Sequence, residues 1–297
     1  MPEVSRQLRY SVVTPARDEA TNLRRLADSM AAQTVPPHEW LIVDNGSLDA
    51  TGETAGQIAR ELPFARTINL PALDSSAIRG APIVVAFEAG VSALDSGVEI
   101  IVKLDADVSF EEDFFEQIVQ AFDADPSLGI AGGTCYEQDA AGEWRPTYGG
   151  VRDHVRGATR AYRATCFEAV APLERRMGWD GIDELKAQVA GWNIRTLPDV
   201  PFRHHRVLGA REGSWSMWVG QGEIAHFMGY RFGYLLARIG YRSVREPTAT
   251  AMMWGYLAAV AKRKERLTDE DVRRHVRNLQ SLTALPRRAR EALGRSR

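Results

Sequence analysis

Cysteine is scarce in this chain. Only two of its 297 residues, Cys135 and Cys166, are cysteines. That is too few for a disulfide framework or a four-cysteine zinc site, so two thiols in a reducing compartment are expected. Long apolar runs are missing as well. The longest uncharged stretch, Pro247 to Ala261, has 15 residues, whereas a helix needs about 20 to span a bilayer. Residues 1–10 (MPEVSRQLRY) hold no apolar stretch, so no secretory leader is expected. Charge of one sign is not in excess: 37 Lys and Arg face 39 Asp and Glu, a formal net charge of -2. That argues against a global basic field for nucleic acid. No G-x-G-x-x-G follows the first apolar run and no G-x-x-x-x-G-K-[ST] occurs, which disfavours dinucleotide oxidoreductases and P-loop NTPases. Zinc proteases and α/β-hydrolases lose their H-E-x-x-H and G-x-S-x-G signatures in the same way.

What is present suits a globular protein: 44% apolar and 26% charged residues. The charge is unevenly spread. Lys262 to Arg297 holds 12 Lys and Arg and 5 Asp and Glu, a net of +7, so the rest carries -2 minus +7, or -9. An acidic body with a basic tail suggests a separate role for the tail. Short apolar runs at Tyr10–Thr14, Trp40–Val43, Ala65–Leu70 and Glu99–Leu104 read as strands. Between them, Leu23, Leu26 and Met30 mark one helix face, Ala55, Ile58 and Leu62 a second, and Gly80–Leu94 an apolar helix. Phe114, Ile118 and Phe122 mark a fourth helix, ended by Asp125-Pro126. Strands alternating with helices predict an α/β fold with a mostly parallel sheet covered on both faces. Residues 138–150 read as a loop, 165–170 and 183–190 as helices, and 194–197 and 200–204 as strands. One domain over 1–210 and a helical, basic C-terminal region over 211–297 are expected.

In open α/β sheets ligands bind beyond the carboxyl ends of the strands. There the sequence places Pro15, Arg17 and Glu19, then Asp44, then Asp105 and Asp107, then His204 and His205. Two carboxylates two residues apart suit a hard divalent cation that also takes phosphate oxygens. In order, VVTPARDEA (12–20), IVDNGSLDAT (42–51), IRGAPIVVAFEAG (78–90), VKLDADV (102–108), WDGIDEL (179–185) and FRHHR (202–206) resemble the family 2 glycosyltransferases. The resemblance covers roughly residues 9–210 and rests on the order and spacing of its motifs.

That resemblance implies a GT-A fold and an inverting transferase that moves a sugar from a nucleotide-diphospho-sugar to an acceptor hydroxyl. By position it implies that Pro15, Arg17 and Glu19 line the base pocket. Asp44 would bond base or ribose, Arg79 would lie near the donor's phosphates or sugar, and Asp105 would contact ribose or a metal-bound water. Asp107 would ligate the metal, Mg or Mn, with a late contact from His204 or His205. The two histidines alternate along a strand, so at most one faces the crevice. Asp183, with Glu184 beside it, would supply the catalytic base, although both open the expected helix and acidic residues are favoured there as caps. The family's base motif is commonly Glu-Asp, and here Ile182 precedes Asp183. A processive synthase is disfavoured, because Gln188 to Trp192 has Gly191 where such enzymes carry Arg.

Two other classes compete. A sugar-phosphate nucleotidyltransferase would want a Gly-rich basic loop after the first strand, and TPARDEA is neither. A non-catalytic nucleotide-sugar or carbohydrate-binding protein would not need carboxylates at 105, 107 and 183. A role in bacterial polysaccharide or glycolipid synthesis, with a sugar or lipid-linked acceptor and no nucleic acid partner, is the expected setting. The expected location is cytoplasmic, on the inner face of the cell membrane. Residues 225–261, rich in aromatics, Leu and Met and edged by Arg231, Arg238, Arg242 and Arg245, suit peripheral contact with an anionic membrane.

Overall fold

A computed structural model of the chain describes residues 8–72, 80–139, 141–147, 154–205 and 213–281. Two compact units divide it, Met1–Arg206 and Val207–Arg297. The first opens with β1 (Tyr10–Ala16), α1 (Ala20–Ala31), β2 (Glu39–Asn45), α2 (Thr51–Glu61), β3 (Ala65–Leu70), α3 (Ala81–Ser92) and β4 (Ile100–Leu104). These strands pair in parallel in the order β3-β2-β1-β4. Helices cover both faces, so every residue of β1 and of β4 is buried. This is why their apolar residues run together rather than alternate, with Ser11, Thr14 and Lys103 the buried polar exceptions. α1 buries Leu23, Leu26, Ala27 and Met30, one stripe at helical spacing.

The unit continues with β5 (Val108–Phe110), α4 (Phe114–Ala124), β6 (Leu128–Gln138), β7 (Trp144–Pro146), β8 (Thr159–Arg163), α5 (Ala164–Val170), α6 (Trp179–Val189) and β9 (Asn193–His204). The sheet runs on as β4-β8-β6-β9-β5, with β7 on β6. β8 is antiparallel to both neighbours, β5 is antiparallel to β9, and β6 and β9 are parallel. The sheet is therefore mixed: its first four strands are parallel, and every antiparallel pair lies in the second half. One core layer joins the sheet to α1, α2 and α4, the other joins it to α3, α5 and α6.

Several elements differ from the sequence reading. β5, β6, β7 and β8 were not expected, and β7 falls inside the stretch read as a loop. The two strands expected over 194–204 are one strand, interrupted by a register shift. Leu197 pairs with Gly133 and Pro201 with Thr134, which leaves three residues of β9 without a partner on β6. The helix expected from Asp183 begins four residues earlier, at Trp179, after Gly178 in the left-handed region at φ 81°.

The second unit holds α7 (Ser214–Phe227), α8 (Phe232–Ser243), a 3-10 turn (Pro247–Thr250), α9 (Ala251–Ala261) and α10 (Glu270–Leu279). The Asp269 carboxylate caps α10 by accepting from the Val272 amide at 3.0 Å. Trp218, Ala225, Leu235, Ala249, Ala251 and Met252 form its core. Among the described residues, no helix is long and apolar enough to cross a membrane.

α7 and α9 cross backbone to backbone. A Cβ on Gly222 would stand 2.0 Å from the Met252 carbonyl oxygen, and one on Gly255 would stand 2.0 Å from that of Val219. Neither obstacle is a flexible side chain, so a methyl group can be accommodated only if the helices separate. Gly255→Ala is therefore expected to destabilise this unit by about 1–3 kcal/mol, the usual cost of overpacking. Denaturant unfolding followed by tryptophan fluorescence checks this, and an unchanged midpoint would contradict the close crossing.

Candidate active site

The carboxyl ends of β1, β2 and β4 share one sheet edge, because the three strands are adjacent and parallel. Two turns are tied together there. After β1, Asp18 sits in the left-handed region at φ 55°. Its amide donates to Ser47 Oγ at 3.1 Å, and its carboxylate accepts from the Leu48 amide at 2.8 Å. Asp44 accepts from the Ser47 hydroxyl and amide at 2.5 and 3.1 Å. The Glu19 amide donates to Thr51 Oγ1 at 2.7 Å, and its carboxylate accepts from Asn22 at 2.8 Å. So Pro15, Arg17, Glu19 and Asp44 are gathered on one edge. Pro15 is buried in β1 and Arg17 is exposed at the turn. In this structure Glu19 and Asp44 visibly brace the turns. Arg79 lies outside the described residues.

A second group forms where β4 ends. Lys103, fully buried in β4, is ion-paired to Asp105. Asp107 directly precedes β5, whose antiparallel register on β9 sets Val108 opposite His204. That register brings His204 Nε2 to 3.4 Å from Asp107 Oδ1, while His204 Nδ1 lies 3.3 Å from Glu137 Oε1 on β6. The next residue, His205, points the other way, with Nε2 2.7 Å from Ser109 Oγ and its ring against Trp144. His204 therefore joins the carboxylates and His205 does not. Burial pulls the His204 imidazole down, but its bonds to Asp107 and Glu137 outweigh that and raise it to about 9. Burial opposes ionisation of Glu137, yet His204 and Arg156 hold its carboxyl below the usual carboxylate range.

Ligand atoms of Asp105, Asp107 and His204 all lie within 4.8 Å of one another, as do those of Cys135, Glu137 and His204. Burial pushes the Cys135 thiol up, which keeps it protonated and a poor ligand. Two carboxylates with one imidazole fit Mg²⁺ or Mn²⁺ by donor chemistry. Asp105, Asp107 and His204 are thus the better set.

The third group is α6. Asp183 and Glu184, expected as the catalytic pair, lie in its second turn and face the sheet. Arg160 on β8, fully buried, donates to Asp183 Oδ1 at 2.8 Å and to Glu184 Oε1 at 2.7 Å. The Tyr162 hydroxyl also donates to Asp183. Glu184 further accepts from the Val155 amide at 2.8 Å and lies 3.1 Å from His154 Nδ1. Asp183 is 1% exposed. Burial raises its carboxyl to about 7 against the pull of Arg160, a value that would suit a base. Geometry decides first, however: both of its oxygens are bonded inside the protein. Asp180, in the first turn, is different. Its side chain is 28% exposed, and its nearest ionic neighbour is His154 Nε2 at 3.8 Å. Trp179 is 7% exposed and packs its ring against Lys103 and Arg160, so it is part of the core.

Sequence reasoning missed Asp180, Arg160, Tyr162, His154, Lys103 and Glu137. A helix start at Gly178-Trp179 would have singled out Asp180, since Gly at a left-handed turn marks such a boundary.

No curated protein sequence matches the chain. Among solved structures it is similar to the mannosyltransferase PcManGT from Pyrobaculum calidifontis in complex with GDP-Man and Mn²⁺, at 16% identity and TM-score 0.57, over 99% of this chain and 89% of that one. It is similar too to residues 1–349 of S. aureus TarS in complex with UDP-GlcNAc, at 15% identity and TM-score 0.57, over 96% and 88%. Both show the same α/β fold, that of the GT-A glycosyltransferases. The family described as Glycosyl transferase family 2 matches residues 11–170, more than half of the chain and all three carboxylate-bearing strand ends of the crevice. With that match over this sheet edge, the protein belongs to glycosyl transferase family 2.

Proposed function

We propose that this glycosyltransferase is inverting, takes a nucleoside-diphosphate sugar as donor and a hydroxyl as acceptor, and uses Asp180 as its general base. The observation that carries the reading is the contrast within α6: Asp183 and Glu184 are consumed by Arg160, while Asp180 opens the helix with an available carboxylate. An acceptor hydroxyl is a poor nucleophile near neutral pH. Asp180 within hydrogen-bond reach takes its proton as the acceptor oxygen bonds to the anomeric carbon. The bond from that carbon to the diphosphate breaks in the same displacement, and the nucleoside diphosphate leaves with the electron pair. One displacement inverts the anomeric carbon, so no second carboxylate is needed.

The structural neighbours support the donor class, since one holds GDP-Man with Mn²⁺ and the other UDP-GlcNAc. In this chain Asp107 and His204, with Asp105, would hold a divalent ion. When bound, it would supply charge stabilisation to the diphosphate. Lys103 fixes the Asp105 carboxylate, and His154 stands between Glu184 and Asp180, bonded to the former and 3.8 Å from the latter. The Asp18, Asp44 and Ser47 turns shape the wall against which a base would lie.

A panel of GDP- and UDP-sugars with Mn²⁺ tests the reading. Release of nucleoside diphosphate is expected; release of sugar 1-phosphate would instead indicate nucleotidyl transfer. Asp107→Ala is expected to abolish the Mn²⁺-dependent part of the thermal shift given by GDP or UDP, because binding to the native state alone is what raises apparent stability. A variant that keeps the full shift would remove Asp107 from the metal site.

A further inference from the structure

We infer that the Val207–Arg297 unit docks this enzyme on an anionic lipid surface through the outer faces of α8 and α9. Along α8 and its C-terminal cap, Phe232, Leu236, Gly240 and Val244 recur every fourth residue, with Gly233, Ala237 and Tyr241 beside them. All seven are exposed, Val244 to 85% and Tyr241 to 62%. A helix bordering water ordinarily turns its polar side outward. α8 instead buries Leu235 and also exposes this second apolar stripe, which contains no charge.

α9 continues the surface. Its sequence, AMMWGYLAAVA, has no charged residue, yet Trp254, Leu257 and Val260 are 67%, 49% and 43% exposed. The two faces meet where the Phe232 and Tyr256 rings come within 6.0 Å. Large exposed apolar side chains on adjoining elements form a patch, which has a different meaning from single exposed residues.

Its charge identifies what covers it. From Arg231 to Lys264 the sequence carries seven basic residues and one acidic residue, Glu246. Glu246 is engaged by Trp218 Nε1 and Thr248. Arg242, Arg245, Lys262 and Arg263 make no ion pair among the described residues. A second copy of the chain would set this positive rim against itself, which like charge disfavours. Anionic headgroups neutralise it, long basic side chains reach such headgroups from an apolar footing, and Trp and Tyr favour the same depth. The inference stands apart from the catalytic reading, and its test needs no activity.

The full chain is sedimented with vesicles of phosphatidylcholine alone and of phosphatidylcholine with phosphatidylglycerol, at low and high salt. Binding to the anionic vesicles only, weakened by salt, is expected. Leu236→Glu with Trp254→Glu, both on exposed positions, is expected to cut that partition about tenfold or more by placing charge where apolar area would enter the interface. Arg242→Gln with Arg245→Gln should weaken anionic binding while leaving the apolar stripe intact. Three outcomes would overturn the proposal: no binding to either vesicle at low salt, equal binding to both, or unchanged partition of the glutamate variant with an intact circular dichroism spectrum. A lipid-free dimer in velocity sedimentation that the glutamate variant converts to monomer, without vesicle binding, would assign the face to a second copy instead.

Discussion

Asp180→Asn is expected to lower kcat by about 10²–10⁴-fold, the usual contribution of a positioned general base. Donor affinity and fold should survive. Asparagine keeps the size of the side chain but cannot accept the acceptor's proton at the rate a carboxylate does. Asp180 occupies the first turn of α6, where a negative charge contributes about 0.3–1 kcal/mol through the helix dipole. Its loss is too small to unfold the domain. Asp183→Asn is the informative partner. Burial already raises the Asp183 carboxyl to about 7, so its neutral form is accessible in the native protein, and Arg160 retains Glu184. Turnover by Asp183→Asn should stay within about tenfold of the parent, since both Asp183 oxygens are already held by Arg160 and Tyr162. Initial rates at saturating donor, with donor Kd measured separately, distinguish the two. If Asp183→Asn loses turnover with its fold intact and Asp180→Asn does not, the base is Asp183.

Arg160→Met should be the most destabilising single change in the catalytic unit. Arg160 is fully buried, bonded to Asp183, Glu184 and the Val155 carbonyl. Its removal leaves Asp183 buried without its cation and Glu184 with only His154 beside it. Breaking such a pair from one side costs about 3–5 kcal/mol, so a fall in Tm of roughly 10 °C follows for a domain of this size. Arg160→Lys should restore little of it, because an ammonium cannot donate to two carboxylates in fork geometry.

The pH dependence has a definite sign. In the variant the Asp183 carboxyl, which burial already raises to about 7 against the pull of Arg160, would titrate still further above its unfolded value. Its neutral form is then favoured in the native state, so stability is retained at low pH and lost as pH rises through the folded value. The deficit of Arg160→Met against the parent should therefore be smaller near pH 5 than near pH 8. Thermal unfolding by circular dichroism at both pH values measures it. A deficit that is constant or grows on acidification would contradict the ion-pair account.

Legibility in the sequence follows from how local each signal is. β1, β2, α1 and β4 were readable because apolar runs and a 3.6-residue stripe report burial within a few residues. β6 was not. Its sequence, LGIAGGTCYEQ, carries three glycines, which weaken a strand reading. The structure shows why they are there: a Cβ on Gly129 would stand 2.6 Å from Trp192, on Gly132 2.7 Å from the Thr159 carbonyl, and on Gly133 2.5 Å from that of Val200. Those neighbours are 27 to 67 positions away in sequence, beyond any window a periodicity argument uses. β8, TRAYR, reads as exposed because two of its five residues are Arg, and only the carboxylates of α6 account for burying Arg160. The crevice carboxylates on the parallel strands were legible from their strand-end positions, and the pairing of His204 rather than His205 with Asp107 depended on a register that sequence alone does not contain.

The unpartnered residues of β9, Pro198, Asp199 and Val200, separate two registers: Asn193–Leu197 against the core end of β6, and Pro201–His204 against its site end and against β5. Alternation has a period of two, so a chain-length change inside a continuously paired strand inverts every side chain beyond it. Here the gap works as a length buffer. A residue inserted beside Asp199 can be absorbed there, and His204 keeps its side of the sheet. The same insertion between Phe202 and His204 has no slack to enter and would turn a different side chain toward Asp107. Related sequences should therefore vary in length at the first position and hold it fixed at the second.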